Sequence, residues 1–168
     1  PIAPMHEIAD KVERAHAAGI AVAIHAIGDR AVRELLDVFS EVLPRARAGA
    51  GAPPQAPHRI EHVQHSHPED LRRLGALGLV ASVQPIHMED DIGLVERAVG
   101  EERARWTYAF RTLLDGGAVL ALGSDCPGAS PNPFDGMHAA VARQRLDGYP
   151  AGGWQAAQRL TVAEAVAG

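Results

Sequence analysis

A short apolar segment that carries a histidine and breaks at a glycine constrains the fold of this chain most strongly. Residues 21–27 read Ala-Val-Ala-Ile-His-Ala-Ile, lie between Gly19 and Gly28, and are followed by a helix-like hydrophobic period. Such a run predicts a buried parallel strand that leads through a turn into a helix. His25 then lies near the strand end, as a site residue or as a core histidine held by a neighbour.

Two later segments repeat this design. Residues 58–64 carry His62 near their end, and residues 118–125 end in Asp125. In the last segment, leucines alternate with small residues, and bulky and small residues alternate in the same way around His25. This alternation predicts that one face of the sheet is covered by helices and that the other has room for a ligand. Three predicted strand ends therefore present two imidazoles and one carboxylate.

The spacing of these residues predicts a (β/α)8 barrel of the TIM type. His25 and His62 are 37 residues apart, and His62 and Asp125 are 63 residues apart. A barrel of this type uses roughly 31 residues per βα unit, so the separations match one and two units. We expect an α/β fold with four parallel strands, each followed by a helix, near residues 20–26, 58–64, 79–85 and 118–124.

The same topology predicts a metal site. The carboxyl ends of barrel strands meet on one face, so His25, His62 and Asp125 can share a cavity. Imidazole and carboxylate ligands from separate strands are typical of a hydrolytic zinc-type site that keeps one position open for water. The sequence therefore predicts a divalent metal cofactor, with zinc as the expected ion.

Four motifs follow one another along nearly the whole chain. They are His-Ala-Ile-Gly-Asp-Arg-Ala at 25–31, Arg-Ile-Glu-His-Val-Gln at 59–64, Ser-Val-Gln-Pro-Ile-His at 82–87 and Gly-Ser-Asp-Cys-Pro at 123–127. Together they resemble the amidohydrolase superfamily, and within it the YtcJ-like branch of metal-dependent hydrolases. The resemblance implies that His25 and His62 are the metal ligands of barrel strands 5 and 6. It implies that Asp125 is the strand-8 carboxylate that touches the metal and handles the proton.

The resemblance also implies an activity and a domain organisation. The expected reaction is hydrolysis of a non-peptide C–N bond in an amide- or formamide-like small molecule by metal-activated water. The family's strand-1 His-x-His pair and its strand-4 ligand have no counterpart, so residues 1–168 are expected to be the C-terminal half of the barrel, lacking strands 1–4 and the C-terminal segment. This fragment alone is expected to be inactive. Two alternatives remain open, a non-catalytic or regulatory relative and an inactive structural fragment.

The segment 86–100 adds one more candidate. It is too long for a simple connection and lies on the predicted active face, which makes His87 the candidate for contacting substrate. The acidic residues 89–91 are interpreted as a solvated loop. His65 and His67 are assigned to a loop or a helix cap.

Hydrophobic spacing predicts helices over 29–43 and 105–114. Residues 44–57, which are rich in Pro, Ala and Gly, predict a mobile connection. Strand alternation places Glu61 on the helix-covered face, with Arg59 or a neighbouring helix as its expected partner.

Composition and charge limit the classes of partner and the compartment that we expect for this chain. The net charge is −5 and no basic run occurs, which argues against nucleic acid. The single cysteine, Cys126, excludes an internal disulfide and, with no signal-like start, favours the cytoplasm. No stretch of apolar residues is long enough for a membrane span. Because half a barrel leaves strand edges open, we expect self-association or pairing with the remainder of the barrel.

Overall fold

Four short parallel strands form one sheet in chain order. The computed structural model describes residues 3–48 and 53–168, and every neighbouring pair in its sheet is parallel, in the order β1-β2-β3-β4. The strands are β1 (Ala23–Ala26), β2 (Arg59–His62), β3 (Val80–Val83) and β4 (Val119–Leu122). The predicted set of four parallel strands is confirmed, with each strand shorter than expected.

Helices follow the strands and cover one face of the sheet. In the described part of the chain the α-helices are α1 (Met5–Ala17), α2 (Asp29–Ala48), α3 (Pro68–Leu77), α4 (Met88–Asp91), α5 (Val95–Val99), α6 (Glu101–Ala104), α7 (Phe110–Asp115), α8 (Pro133–Ala142) and α9 (Val162–Ala167). Short 3₁₀ turns occupy Pro85–His87 and Ala156–Gln158. Among these described helices, none has the length and apolar character needed to cross a membrane.

Helix α2 continues past Pro44, where the sequence predicted the start of a mobile connection. The helix reaches Ala48 with the proline inside it. Val42 and Leu43, just before the proline, are buried in the core, and this packing holds the turn that the missing N–H of proline weakens. Residues 49–52 of the expected connection lie outside the described residues.

The helix predicted over 105–114 is interrupted between α6 and α7. In the gap, Thr107 forms an antiparallel bridge with His65, and Tyr108 has a φ of 51°. The N–H of Tyr108 donates to the carbonyl of Gln64 at 2.8 Å. Bonds to the segment after β2 therefore override the helical period of the sequence.

The hydrophobic core lies between the sheet and the helices. Ile60, Ala81 and Leu120 stand in register on the covered face and are buried. Their helix partners in the core include Val32, Leu35, Leu36, Phe39, Leu71, Leu74, Phe110 and Leu113. The opposite face of the sheet is open, and Val119 on it is 63% exposed.

Glu61 lies on the open face, so the prediction for its face is wrong. It stands in register with His25 and with Ser82. Its carboxylate pairs with Arg59, whose Nε lies 2.6 Å from Oε1, as expected. Side chains alternate between the two faces only in extended backbone, and His62 departs from that conformation with a φ of 74°. The face of Glu61 therefore cannot be counted from His62.

Candidate metal centre

Side chains from the carboxyl ends of three strands meet at one edge of the sheet. Donor atoms of His62, His87 and Asp125 all lie within 4.8 Å of one another. His62 ends β2, His87 closes the 3₁₀ turn after β3, and Asp125 follows β4. Within residues 3–48 and 53–168, no other group of three His, Cys, Asp or Glu side chains is arranged to hold a metal ion.

His25 lies beside this compact set without belonging to it. Its ring and that of His62 have centroids 4.2 Å apart and meet edge to face at 64°. The ring of His87 lies on His62 as well, with centroids 6.0 Å apart and an angle of 22°. The structure therefore gathers all four residues that the sequence singled out, with His62 in contact with both other histidines.

Left-handed backbone conformations aim these side chains. The φ angle is 74° at His62, 47° at Val63 and 57° at Asp125. Such angles are uncommon for residues that carry a Cβ, and each costs about 1–3 kcal/mol. His62 pairs in register with Ala26, which is buried under the helices, yet its ring meets that of His25. The local backbone turn, and not strand alternation, directs the imidazole.

His62 has the burial and charge state of a metal ligand. The residue is buried, and its Nδ1 has no hydrogen-bond partner among the described residues. Burial lowers the pKa of His62, and the neighbouring imidazole of His25 lowers it further, whereas the carboxylate of Asp125 opposes the shift. A neutral imidazole with an unpaired nitrogen is the form that binds a metal. Together with the donors of His87 and Asp125, it fits a divalent ion.

A tight turn fixes the backbone of Asp125. The N–H of Gly128 donates to the Asp125 carbonyl at 2.7 Å. A Cβ on Gly128 would come within 2.9 Å of that oxygen, so only glycine fits this turn without displacing Asp125.

The two histidines after β2 have the roles that the sequence assigned. Nδ1 of His67 accepts from the N–H of Glu69 at 3.4 Å and caps α3. Nδ1 of His65 lies 2.9 Å from the Thr107 hydroxyl in the loop. Neither histidine belongs to the compact donor set.

Sequence reasoning missed the role of Asp91. The acidic residues that were interpreted as a solvated loop form most of α4, and Asp91 accepts hydrogen bonds from Gln64 and Tyr108. Asp91 lies four residues after His87, and residues four apart are neighbours on a helix. This spacing could have linked Asp91 to His87, but only once the segment was known to be helical.

Comparison with known proteins decides the family. The model of the amidohydrolase family Amidohydro_3 matches residues 1–167. The chain belongs to the amidohydrolase family. It is 46% identical over 126 residues to the protein LONG AFTER FAR-RED 3 of Arabidopsis thaliana, a match that covers 74% of this chain and 21% of that protein.

Two further relatives match most of the chain. The putative amidohydrolase YtcJ of Bacillus subtilis is 27% identical over 156 residues, which are 92% of this chain and 28% of that protein. The N-substituted formamide deformylase of Arthrobacter pascens is 29% identical over 146 residues, which are 86% of this chain and 26% of that protein. The chain thus spans between 21% and 28% of the length of these relatives.

A solved structure shares the fold. The crystal structure of an uncharacterized metal-dependent hydrolase from Pyrococcus horikoshii OT3 superposes with a TM-score of 0.79 at 34% identity, over 98% of this chain and 31% of that chain. The parallel sheet with flanking helices is part of a TIM-type barrel, and the chain is a YtcJ-like amidohydrolase. Both predictions made from the sequence are confirmed.

Proposed function

We propose that the protein is a metal-dependent hydrolase that cleaves a non-peptide C–N bond of an amide- or formamide-like small molecule. The observation that carries this proposal is the compact donor set of His62, His87 and Asp125 at the strand ends. Membership of the amidohydrolase family supports hydrolysis of C–N bonds, and similarity to an N-substituted formamide deformylase supports the formamide class.

The proposed ligands of the ion, for which zinc is the proposed metal, are His25, His62 and Asp125. His62 and Asp125 belong to the compact set. His25 is exposed, and exposed side chains exchange rotamers within nanoseconds. Its imidazole is therefore free to turn and bind the same ion as His62. His87 has the proposed task of contacting substrate from the β3 side of the site.

A bound divalent ion supplies Lewis acidity, which polarises a carbonyl and lowers the pKa of water toward neutrality. Asp125 is the proposed proton carrier, because its exposed carboxylate is accessible to water and to substrate. One of its oxygens accepts the proton that water loses and returns it to the leaving nitrogen. For a formamide R–NH–CHO, the C–N bond breaks, the water oxygen is retained on carbon, and the products are an amine and formate.

A non-catalytic relative that keeps the barrel for binding is the alternative function. The strained backbone at His62 and Asp125 is compatible with either function, because strain of this kind is concentrated at active sites and at ligand clamps. Membership of the amidohydrolase family favours the hydrolase. We further propose that residues 1–168 supply strands 5–8 of the barrel and that the chain by itself is inactive. The chain covers less than a third of the length of its relatives, which supports this proposal.

The proposal extends to partners. β1 and β4 are the outer strands of the four-stranded sheet, and unpaired strand edges recruit other strands. We propose that these edges pair with the remainder of the barrel or, in the isolated chain, with a second copy. A cytoplasmic location remains a prediction from the single cysteine.

The test uses the full-length protein and a panel of N-alkyl formamides and acetamides, with release of amine as the readout. We expect turnover that is lost on treatment with a chelator and restored by zinc. Turnover that survives complete removal of metal would overturn the metal dependence. Zinc-loaded protein that hydrolyses no member of the panel would favour the binding relative.

A further inference from the structure

We propose that Asp91 is a positioning residue that holds the imidazoles of His62 and His87 at the separation seen between their rings. The inference rests on the proposed metal-dependent function, because the task given to Asp91 is to fix the proposed ligand His62 beside the proposed substrate contact His87. Asp91 ends α4, four residues after His87, so the two residues belong to one short segment. The question is therefore what joins this segment to His62.

One carboxylate oxygen of Asp91 receives hydrogen bonds from two separate parts of the chain. Nε2 of Gln64 and the hydroxyl of Tyr108 each donate to Oδ2 at 2.7 Å. Burial raises the pKa of Tyr108, and its hydrogen bond to Asp91 raises the pKa further, so the hydroxyl remains a donor. Hydrogen bonds to an ionised acceptor are about twice as strong as neutral ones. Gln64 stands two residues after His62, so Asp91 connects the His87 segment directly to the end of β2.

The segments that Asp91 joins are those with left-handed backbone. His62, Val63 and Tyr108 all have positive φ angles. The N–H of Tyr108 also donates to the Gln64 carbonyl, so this main-chain bond and the shared carboxylate together hold the two strained segments. Strained conformations persist only when several contacts fix them. Without the carboxylate, the two segments keep the bond from Tyr108 to Gln64 and the bridge between His65 and Thr107, but the link from the segment after β2 to the His87 segment is lost. His62 is then free to shift relative to His87.

The geometry separates this role from general support of the fold. Nδ1 of His62 has no hydrogen-bond partner among the described residues, so the backbone beneath the ring and the neighbouring rings of His25 and His87 set its position. Helix α4 has a separate anchor, because Nε of Arg145 donates to the Glu89 carbonyl at 2.9 Å. Removal of the Asp91 side chain therefore leaves α4 attached and affects chiefly its link to His62.

The first experiment measures Co²⁺ affinity of the full-length protein from the visible absorption of the ion. We expect Asp91→Ala to weaken binding about 10–100-fold, the usual effect of losing a group that orients a ligand, and to alter the spectrum. Asp91→Asn keeps an oxygen that accepts both hydrogen bonds, so it should restore most of the affinity. Asp90→Ala, at the exposed neighbouring position, is the matched control and should bind as the wild type does.

The second experiment needs no metal. Hydrogen–deuterium exchange of the metal-free protein should be faster in Asp91→Ala for peptides that cover residues 62–66 and 106–109, and unchanged over α1. Tyr108→Phe removes one donor and keeps the ring, so it should give a smaller change at the same peptides. Added to Asp91→Ala, it should have no further effect, because both changes act through one carboxylate.

The outcomes distinguish the two proposals. If Asp91→Ala binds Co²⁺ as the wild type does and exchange at 62–66 is unchanged, the positioning role is wrong while the metal site stands. If His62→Ala keeps wild-type Co²⁺ affinity, the proposed function is wrong. Should Asp91→Ala fail to fold, Tyr108→Phe with unchanged affinity and unchanged exchange would overturn the positioning role equally well.

Discussion

The imidazole rings of His25 and His62 lie edge to face, with centroids 4.2 Å apart, although the two residues come from neighbouring strands and are not register partners. In the sheet, His25 pairs with Glu61, and His62 pairs with Ala26. The left-handed backbone at His62 brings its ring into contact with His25. The ring of His87 also stacks on that of His62. Either His25 or His87 could therefore complete the ligand set with His62 and Asp125.

Substitution of the two outer histidines decides between these alternatives. We expect His25→Ala to lower the zinc affinity of the full-length protein by more than about 100-fold, since loss of a ligand exceeds the loss from an orienting group. His87→Ala should change zinc affinity little and raise KM. Isothermal titration with zinc measures the first effect, and steady-state kinetics measures the second. His6→Ala, on the exposed side of α1, is the control. The opposite pattern would make His87 the ligand and His25 the substrate contact.

Asp125→Asn tests the proton carrier. The amide keeps the shape of the carboxylate but cannot accept and return a proton, so kcat should fall about 10²–10⁴-fold with little change in KM. Asp10→Asn on α1 should have no effect. Near-normal kcat in the Asp125→Asn protein would remove Asp125 from the catalytic role.

Glu164 makes stability dependent on acid pH. The hydrogen bond from Arg111, together with those from the N–H and hydroxyl of Thr161 in the capping box of α9, lowers the pKa of Glu164 to about 2. A lowered pKa means that the fold stabilises the ionised form. The contribution is therefore complete above the ordinary value of 4.5 and is lost as pH falls toward about 2.

Urea unfolding between pH 2 and pH 7 measures this contribution. Glu164→Gln should lower the free energy of unfolding at pH 7, and the difference from the wild type should vanish as the pH approaches the lowered pKa. Glu13→Gln, at an exposed position of α1, should leave the pH profile unchanged. A wild type and a Glu164→Gln variant with parallel profiles would contradict the assignment.

Gly75 permits close packing of α3 against the turn before β4. A Cβ at this position would lie 2.6 Å from the carbonyl carbon of Gly117 and 2.8 Å from the nitrogen of Ala118, and these backbone atoms cannot move aside cheaply. We expect Gly75→Ala to destabilise the protein by at least the ~1–3 kcal/mol typical of overpacking. Gly136→Ala in α8 is the matched control, because its Cβ meets nothing within 4 Å, and it should stabilise by up to ~1 kcal/mol. Equal melting temperatures for the two variants would contradict this explanation.

The parts of the fold that could be predicted from the sequence are those set by local patterns. Each of His25, His62 and Asp125 lies at or near the end of a predicted strand, and parallel topology brings the ends of such strands to one edge. The orientation of His62 could not be predicted, because a period of two assumes extended backbone and His62 has a positive φ. The same departure explains why Glu61 was placed on the wrong face.

Contacts between distant segments account for the other differences. Residues 105–114 have helical spacing, but Thr107 and Tyr108 bond to the segment after β2 and interrupt the helix. Asp91 stands in an acidic run that is typical of a solvated loop, and its two partners come from 27 and 17 residues away. Neither partner carries a sequence signal that points to Asp91.

The central claim is that His62 and Asp125 help to hold a divalent metal that the hydrolysis of a C–N bond requires. It is tested most directly by measuring bound zinc per chain and amine release in the same preparations of full-length wild-type and His62→Ala protein. The account predicts stoichiometric zinc and turnover in the wild type, and joint loss of both in a His62→Ala protein whose circular dichroism is unchanged. A folded His62→Ala protein that keeps both its zinc and its turnover would contradict it.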